Sequence, residues 1–177
     1  MKILILMGSP NPKGSTFLLA DAFRQGAQDG GHEVHMIDVA QARVSPCGGC
    51  VACGYDGPCV RQDDMARIGA AILEADMLVL ATPLYYYGMS AQLKTVIDRF
   101  CALNGRIQRK HMKSALLSAA WNADSWTFDA LEAHYRTLVR YLNFQDQGMV
   151  LGRGCGMPSM TRASIYPKQA RQLGKNL

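Results

Sequence analysis

The sequence predicts an α/β fold: a five-stranded parallel sheet with helices on both faces. Three observations predict it. Short apolar runs alternate with segments of helical spacing along the chain. One of these runs, Met77 to Ala81, is continuously apolar, as a strand buried on both faces should be. The first run, Ile3 to Met7, ends in the loop GSPNPKGST from Gly8 to Thr16, which leads straight into helical spacing at Leu19, Ala22, Phe23 and Gly26.

Strand one is read over Lys2 to Met7 and helix one over about Ser15 to Gly30, stopped by Gly30-Gly31. Strand two is Glu33 to Asp38. Helix two covers Asp64 to Ala75, with Met65, Ile68 and Ile72 on one face and Asp63 or Asp64 as N-cap. Strand three is Met77 to Ala81, and helix three runs from Ser90 to Leu103 on the stripe Leu93, Val96, Ile97 and Phe100. Strand four is Ser114 to Ala120. Helix four covers about Ser125 to Leu142, strand five lies near Gln147 to Leu151, and a weakly patterned last helix covers Pro167 to Lys175. Five strands opening on such a loop fit the flavodoxin-like three-layer sandwich, in strand order 2-1-3-4-5, which puts a ligand at the switch point between strands one and three.

At 177 residues the chain reads as one domain, 1–177, with a cysteine-rich insertion at about 39–62. The net charge of +5 comes without a long basic run, so no nucleic-acid partner is expected. The opening apolar run is too short for a signal segment and nothing approaches a membrane span, so a cytoplasmic protein is expected. Its six cysteines are then thiols, metal ligands or redox groups.

The loop Gly8 to Thr16 has the makings of an anion site. The first N–H groups of a helix lack partners within it, and the helix dipole is positive there. Ser9, Ser15 and Thr16 add hydroxyl donors. The loop is neither G-x-x-x-x-G-K-S/T nor G-x-G-x-x-G. Its Ser, Thr and Asn content suits a terminal phosphate monoester such as that of FMN; the alternative is a solvated turn with a helix cap. The topology rule then predicts that the loop after strand three also meets the ligand. That loop reads Thr82-Pro83-Leu84-Tyr85-Tyr86-Tyr87-Gly88-Met89. Consecutive loop tyrosines suit a flat partner such as an isoalloxazine, or else a subunit interface. Ala119-Ala120-Trp121-Asn122, after strand four, is the third candidate wall, with Trp121 stacking or in the core.

Between strand two and helix two lies a long unpatterned stretch with Cys47, Cys50, Cys53 and Cys59 in the spacing C-x2-C-x2-C-x5-C. Such spacing suits a [4Fe-4S] cluster better than zinc, which more often takes two separated pairs. The plain alternative is a reduced cysteine-rich loop. Cys101 reads as core. Both loops follow strands at their carboxyl ends, which predicts that they share one edge of the sheet. Arg106, Arg109, Lys110, His111 and Lys113 read as a solvated connection, or as a dock for an acidic partner or the 2′-phosphate of NADPH.

Together, GSPNPKGST, the cysteine run followed by Asp63-Asp64-Met65, the Thr82 to Tyr85 loop and Ser90 to Arg99 resemble the NADPH-dependent FMN reductase branch of the flavodoxin-like superfamily, above all its iron-sulfur flavoproteins. The resemblance implies a homodimer or homotetramer with FMN near subunit contacts. It implies that Ser9, Asn11, Ser15 and Thr16 hold the phosphate, that Pro83, Leu84, Tyr85, Tyr86, Tyr87 and Gly88 line the ring, and that Ala119, Ala120 and Trp121 close the site. It implies a [4Fe-4S] cluster on Cys47, Cys50, Cys53 and Cys59, although relatives with similar cysteine runs include plain FMN oxidoreductases. The expected function is an FMN-dependent oxidoreductase that takes electrons from NAD(P)H or a reduced ferredoxin-like carrier and passes them to a small-molecule acceptor. No Asp, Glu or His demands an acid–base role, so no catalytic side chain is assigned. The alternatives are an iron-sulfur flavoprotein acting only as an electron carrier, a cluster-free NADPH-dependent FMN or quinone reductase, and a zinc-stabilised nucleotide-binding module.

Overall fold

The computed structural model describes residues 1–177. Alternating apolar side chains build the sheet. In β1 (Lys2–Met7), Leu4 and Leu6 point to one face and Ile3, Ile5 and Met7 to the other, and all five are buried. β3 (Met77–Pro83) divides in the same way and is buried along its whole length. β2 (Glu33–Asp38), β4 (Lys113–Ala119) and β5 (Gln145–Gly152) complete a parallel sheet in the order β2-β1-β3-β4-β5. This is the flavodoxin-like order expected from the sequence.

One face is covered by α1 (Ser15–Asp29) and the last helix, α7 (Tyr166–Lys175). Their backbones nearly touch. A Cβ on Gly26 would come within 1.9 Å of the Arg171 carbonyl oxygen, and one on Gly174 within 2.3 Å of that of Phe23. The other face carries α2 (Met65–Glu74), α3 (Ala91–Asp98), α4 (Asn104–Lys110) and α5 (Asp129–Tyr141), whose buried stripes include Ile68, Ile72, Leu93, Val96, Ile107, Leu131 and Tyr135. No helix is long and apolar enough to cross a membrane.

The structure departs from the expected elements in four places. The single helix read over Ser90 to Leu103 is α3 followed by a 3-10 turn at Arg99–Leu103, and α4 continues from it. The basic stretch, read as a solvated connection, is helical at Arg106, Arg109 and Lys110 and keeps the Arg106 and Arg109 side chains at the surface. α5 begins at Asp129 instead of Ser125, because turns closed by Thr127 N–H to Asp124 and Asp129 N–H to Trp126 occupy the preceding residues. A short helix, α6 (Pro158–Ala163), forms with proline in its first turn, where the missing N–H has no consequence.

Candidate functional site

The loop from Gly8 to Gly14 joins the end of β1 to the start of α1. Gly14 occupies the N-cap position and supplies no side-chain cap. The N–H groups of Ser15, Thr16 and Phe17 donate to no carbonyl or side chain, and the first turn holds no acidic residue. Ser15 and Thr16 are buried, and the Ser15 hydroxyl has no hydrogen-bond partner. Ser9 is also buried, and its hydroxyl accepts from the Asn11 N–H at 3.3 Å. Asn11 is exposed, and its Oδ1 accepts from the Lys13 N–H at 3.0 Å. Free N–H groups and a buried orphan hydroxyl at a positive helix end have the chemistry to accept an anion.

A buried network fixes this loop against the next one. The Ser90 hydroxyl donates to the Gly8 carbonyl at 2.6 Å. The same hydroxyl caps α3 by accepting from the Leu93 N–H at 3.3 Å, and the Ser90 N–H donates to Thr82 Oγ1 at 2.9 Å. Gly8 allows the approach, since a Cβ there would lie 2.7 Å from that of Leu93.

Between Thr82 and Ser90 the chain makes a tight turn. Tyr85 and Gly88 exchange N–H donations at 3.1 Å, and Tyr86 and Tyr87 between them take positive φ of 46° and 64°. The turn resembles the type I′ hairpin, which asparagine and glycine usually occupy. Two tyrosines there carry backbone strain of about 1–2 kcal/mol each. Tyr86 is fully exposed, at 101 % of its reference area. The Tyr87 ring meets Trp126 with centroids 5.2 Å apart. Pro83 is buried at the strand end, and Leu84 N–H donates to the Ala119 carbonyl at 3.0 Å. Ala119 and Ala120 thus contribute backbone, while Trp121 is 70 % exposed with its indole against Gly156. The core alternative for Trp121 is excluded. The three predicted loops do come together, in an open edge rather than an enclosed cavity.

The cysteine stretch contains no helix or strand. It leaves the sheet beside Gly8, where the Val39 and Ala40 N–H groups both donate to the Met7 carbonyl. Its two ends are held by Arg99. Arg99 Nη1 donates to the Ser45 carbonyl at 2.8 Å and to Asp63 Oδ2 at 2.7 Å, and Nη2 donates to Asp63 Oδ1 at 3.2 Å. Asp63 also accepts from the Ser45 and Met65 N–H groups, at 3.0 and 3.1 Å. Burial works to raise the Asp63 pKa, but Arg99 and these N–H groups prevail and hold the carboxyl below its ordinary value. The middle of the loop is tied by Asp56 to Arg106 at 3.3 Å and to Arg109 at 2.7 Å. The Arg109 guanidinium is the main cause of a lowered Asp56 pKa.

Cys47, Cys50, Cys53 and Cys59 all line one cavity of about 140 Å³, and Cys101 lines it too. The core assignment of Cys101 is therefore corrected: it is half-buried beside Cys53, and burial followed by that neighbour pushes its thiol pKa up. As the side chains stand, no three metal-ligating groups converge on one point. The cavity also lies away from the phosphate loop. Its wall includes Arg99, Cys101 and Ala102, beyond the C-terminal end of α3, whereas Ser90 at the other end of α3 touches Gly8. The expected sharing of one sheet edge holds for where the two loops leave, not for where the cysteines finish.

The family model for NADPH-dependent FMN reductases matches residues 1–150. The chain belongs to this family. Among curated relatives of this FMN reductase family member, an iron-sulfur flavoprotein of Methanocaldococcus jannaschii is 38 % identical over 99 residues, covering 56 % of this chain and 51 % of its own. One from Archaeoglobus fulgidus is 35 % identical over 99 residues, covering 56 % and 45 %. The matched region spans about half the length of these curated relatives. In fold, the family member superposes on the NAD(P)H:quinone oxidoreductase from Methanothermobacter marburgensis with a TM-score of 0.80 at 18 % identity, over 99 % of this chain and 95 % of that one.

Several residues of the site in this family member are not evident from sequence reasoning. Ser90 had a signal, a serine before a helical stripe, but its bond to Gly8 crosses 82 positions. Trp126, the bond from Ser90 N–H to Thr82 and the pairing of Arg99 with Asp63 left none.

Proposed function

We propose that this chain is an FMN-dependent oxidoreductase that passes electrons from NAD(P)H or a reduced carrier to a small-molecule acceptor. The start of α1 carries the reading: three free N–H groups and the orphaned Ser15 hydroxyl ask for an anion with several acceptor oxygens. A phosphate monoester meets that demand, and the family points to FMN as its bearer. Bound FMN supplies hydride and single-electron chemistry. Ser9, Asn11, Ser15 and Thr16 hold its phosphate. Pro83, Leu84 and Gly88 form a wall with Tyr85, Tyr86 and Tyr87, and the Ala119–Trp121 loop closes the opposite side. In this reading residues 1–177 work as one FMN-binding unit, with the cysteine loop of about 39–62 inserted in it. The exposed Tyr86, Trp121, Trp126, Met157 and Met160 favour a homodimer or homotetramer that covers them.

The test is flavin uptake by the purified protein, followed by its fluorescence and visible spectrum. A one-to-one complex that NAD(P)H bleaches anaerobically is expected. A protein that takes up no flavin when offered it refutes the reading.

A second reading concerns the cavity lined by the cysteines. Five thiols around one space fit a metal–sulfur group, and four of them lie on a loop without helix or strand. Cys47, Cys50, Cys53 and Cys59 would hold a [4Fe-4S] cluster, which supplies a one-electron store. Anaerobic reconstitution should then give roughly four irons per chain with matching sulfide. Zinc in their place, or no metal, leaves a cluster-free FMN reductase.

A further inference from the structure

The cavity of the cysteines contains a cation that the thiols alone do not explain. Arg99 lies in its wall and is only 2 % exposed. Nη1 and Nη2 are bound to Asp63 and the Ser45 carbonyl. Nε is buried without a hydrogen-bond partner, and Cys59 is the thiol that lies beside the guanidinium. A buried charged N–H with no acceptor is unfavourable, and native structures rarely keep one without a reason. The rest of that wall is rich in sulfur, and neutral thiols are weak acceptors. Thiolate and inorganic sulfide, both charged, accept well. The Asp63 fork fixes the guanidinium plane and leaves Nε free.

We propose that Arg99 Nε donates to a sulfur of the metal–sulfur group held in this cavity, and that the buried guanidinium raises the reduction potential of that group. The inference rests on the cluster reading above. Reduction adds negative charge to a thiolate-bound cluster. A fixed cation in a water-poor wall stabilises the reduced form more than the oxidised one, and a hydrogen bond to sulfur acts in the same direction. Asp63 is anionic and does not line the cavity, so it acts in the opposite direction and more weakly.

The experiment is a redox titration of the anaerobically reconstituted full-length protein, with the reduced cluster followed by electron paramagnetic resonance. Arg99→Gln is expected to shift the midpoint potential to more negative values. Asp63→Asn removes the anion but keeps Nε, and is expected to leave the potential unchanged or shift it positive. This opposition in sign separates a sulfur donor from a mere loop anchor, which both substitutions would loosen alike. If Arg99→Gln does not load iron, Arg99→Lys carries the test, because it keeps the charge and loses the Nε donor: a negative shift supports the inference and a wild-type potential overturns it. Wild-type potentials in both Arg99→Gln and Asp63→Asn, or shifts of the same sign, overturn the role of Arg99 while the cluster stands. A wild-type protein that binds no iron overturns the cluster reading, and the inference with it.

Discussion

Tyr86 is strained and touches little. Its φ of 46° and complete exposure mean that the folded chain bears the conformational penalty without packing in return. Tyr86→Gly should therefore stabilise the flavin-free protein by about 1 kcal/mol, part of the relief being offset by the greater freedom of glycine in the unfolded chain. That is a rise of a few degrees in melting temperature for a chain of this size. If the ring is a wall of the flavin site, the same substitution weakens FMN binding, and calorimetry with and without FMN reads both effects. Ser15 gives a similar contrast. Its buried hydroxyl has no partner, so Ser15→Ala should leave flavin-free stability unchanged or slightly raised. FMN affinity should fall roughly 10- to 100-fold, as expected for a lost hydrogen bond to a charged group. Unchanged affinity in a fluorescence titration removes Ser15 from the phosphate site. The loop from Gly8 to Thr16 was legible as a strand-to-helix turn because its residues are contiguous and follow a strand. The hydrogen bonds of Thr82 and Ser90 were not, because their partners are set by how β3 packs beside β1.

At the scale of elements, the Arg99–Asp63 pair decides how the cysteine loop is held. The Arg99 side chain is 1 % exposed and that of Asp63 11 %. Removing one member of such a pair leaves the other buried and alone, at about 3–5 kcal/mol. Asp63→Ala should accordingly open residues 45–62 to proteolysis before the sheet unfolds. The pH dependence has a definite sign. The folded Asp63 pKa lies below its ordinary value of 3.8, so the stabilisation is complete above that value and is lost as pH falls through the lower, folded one. Protection of the metal-free loop against hydrogen exchange, taken relative to the intrinsic rate at each pH, should fall below about pH 4 in the wild type, and Asp63→Asn should flatten that response. A loop whose acid response is the same with and without Asp63 is not held by this carboxylate. The sequence showed a helical stripe through Arg99 but could not show the buried fork. Partners that are 36 residues apart leave no periodic trace.

Across the whole molecule, the sheet was legible because its inner strands β1, β3 and β4 bury both faces and the longer helices a single stripe. These patterns fix the class and the opening loop points to the order, but neither fixes where a long loop ends up. The cysteine stretch leaves the sheet next to Gly8 and settles beyond the far end of α3. From Ser90 to Arg99 the chain advances roughly 13 Å at helical rise. Two sites so far apart, with no shared side chain, should behave additively, with coupling below about 0.5 kcal/mol, or twofold in affinity. Replacing Cys53 and Cys59 together by Ser should abolish metal uptake and leave the FMN dissociation constant within about twofold of the wild type. Thr16→Ala should weaken FMN while the metal content stays the same. Flavin titration and metal analysis on both variants give the full cycle. Coupling of tenfold or more would mean that the loop closes over the flavin when a ligand binds, and the cysteines would then belong to the flavin site. Additivity would mean two separate centres, so that electrons passing between them cross the length of α3 within one chain or enter from a neighbouring copy.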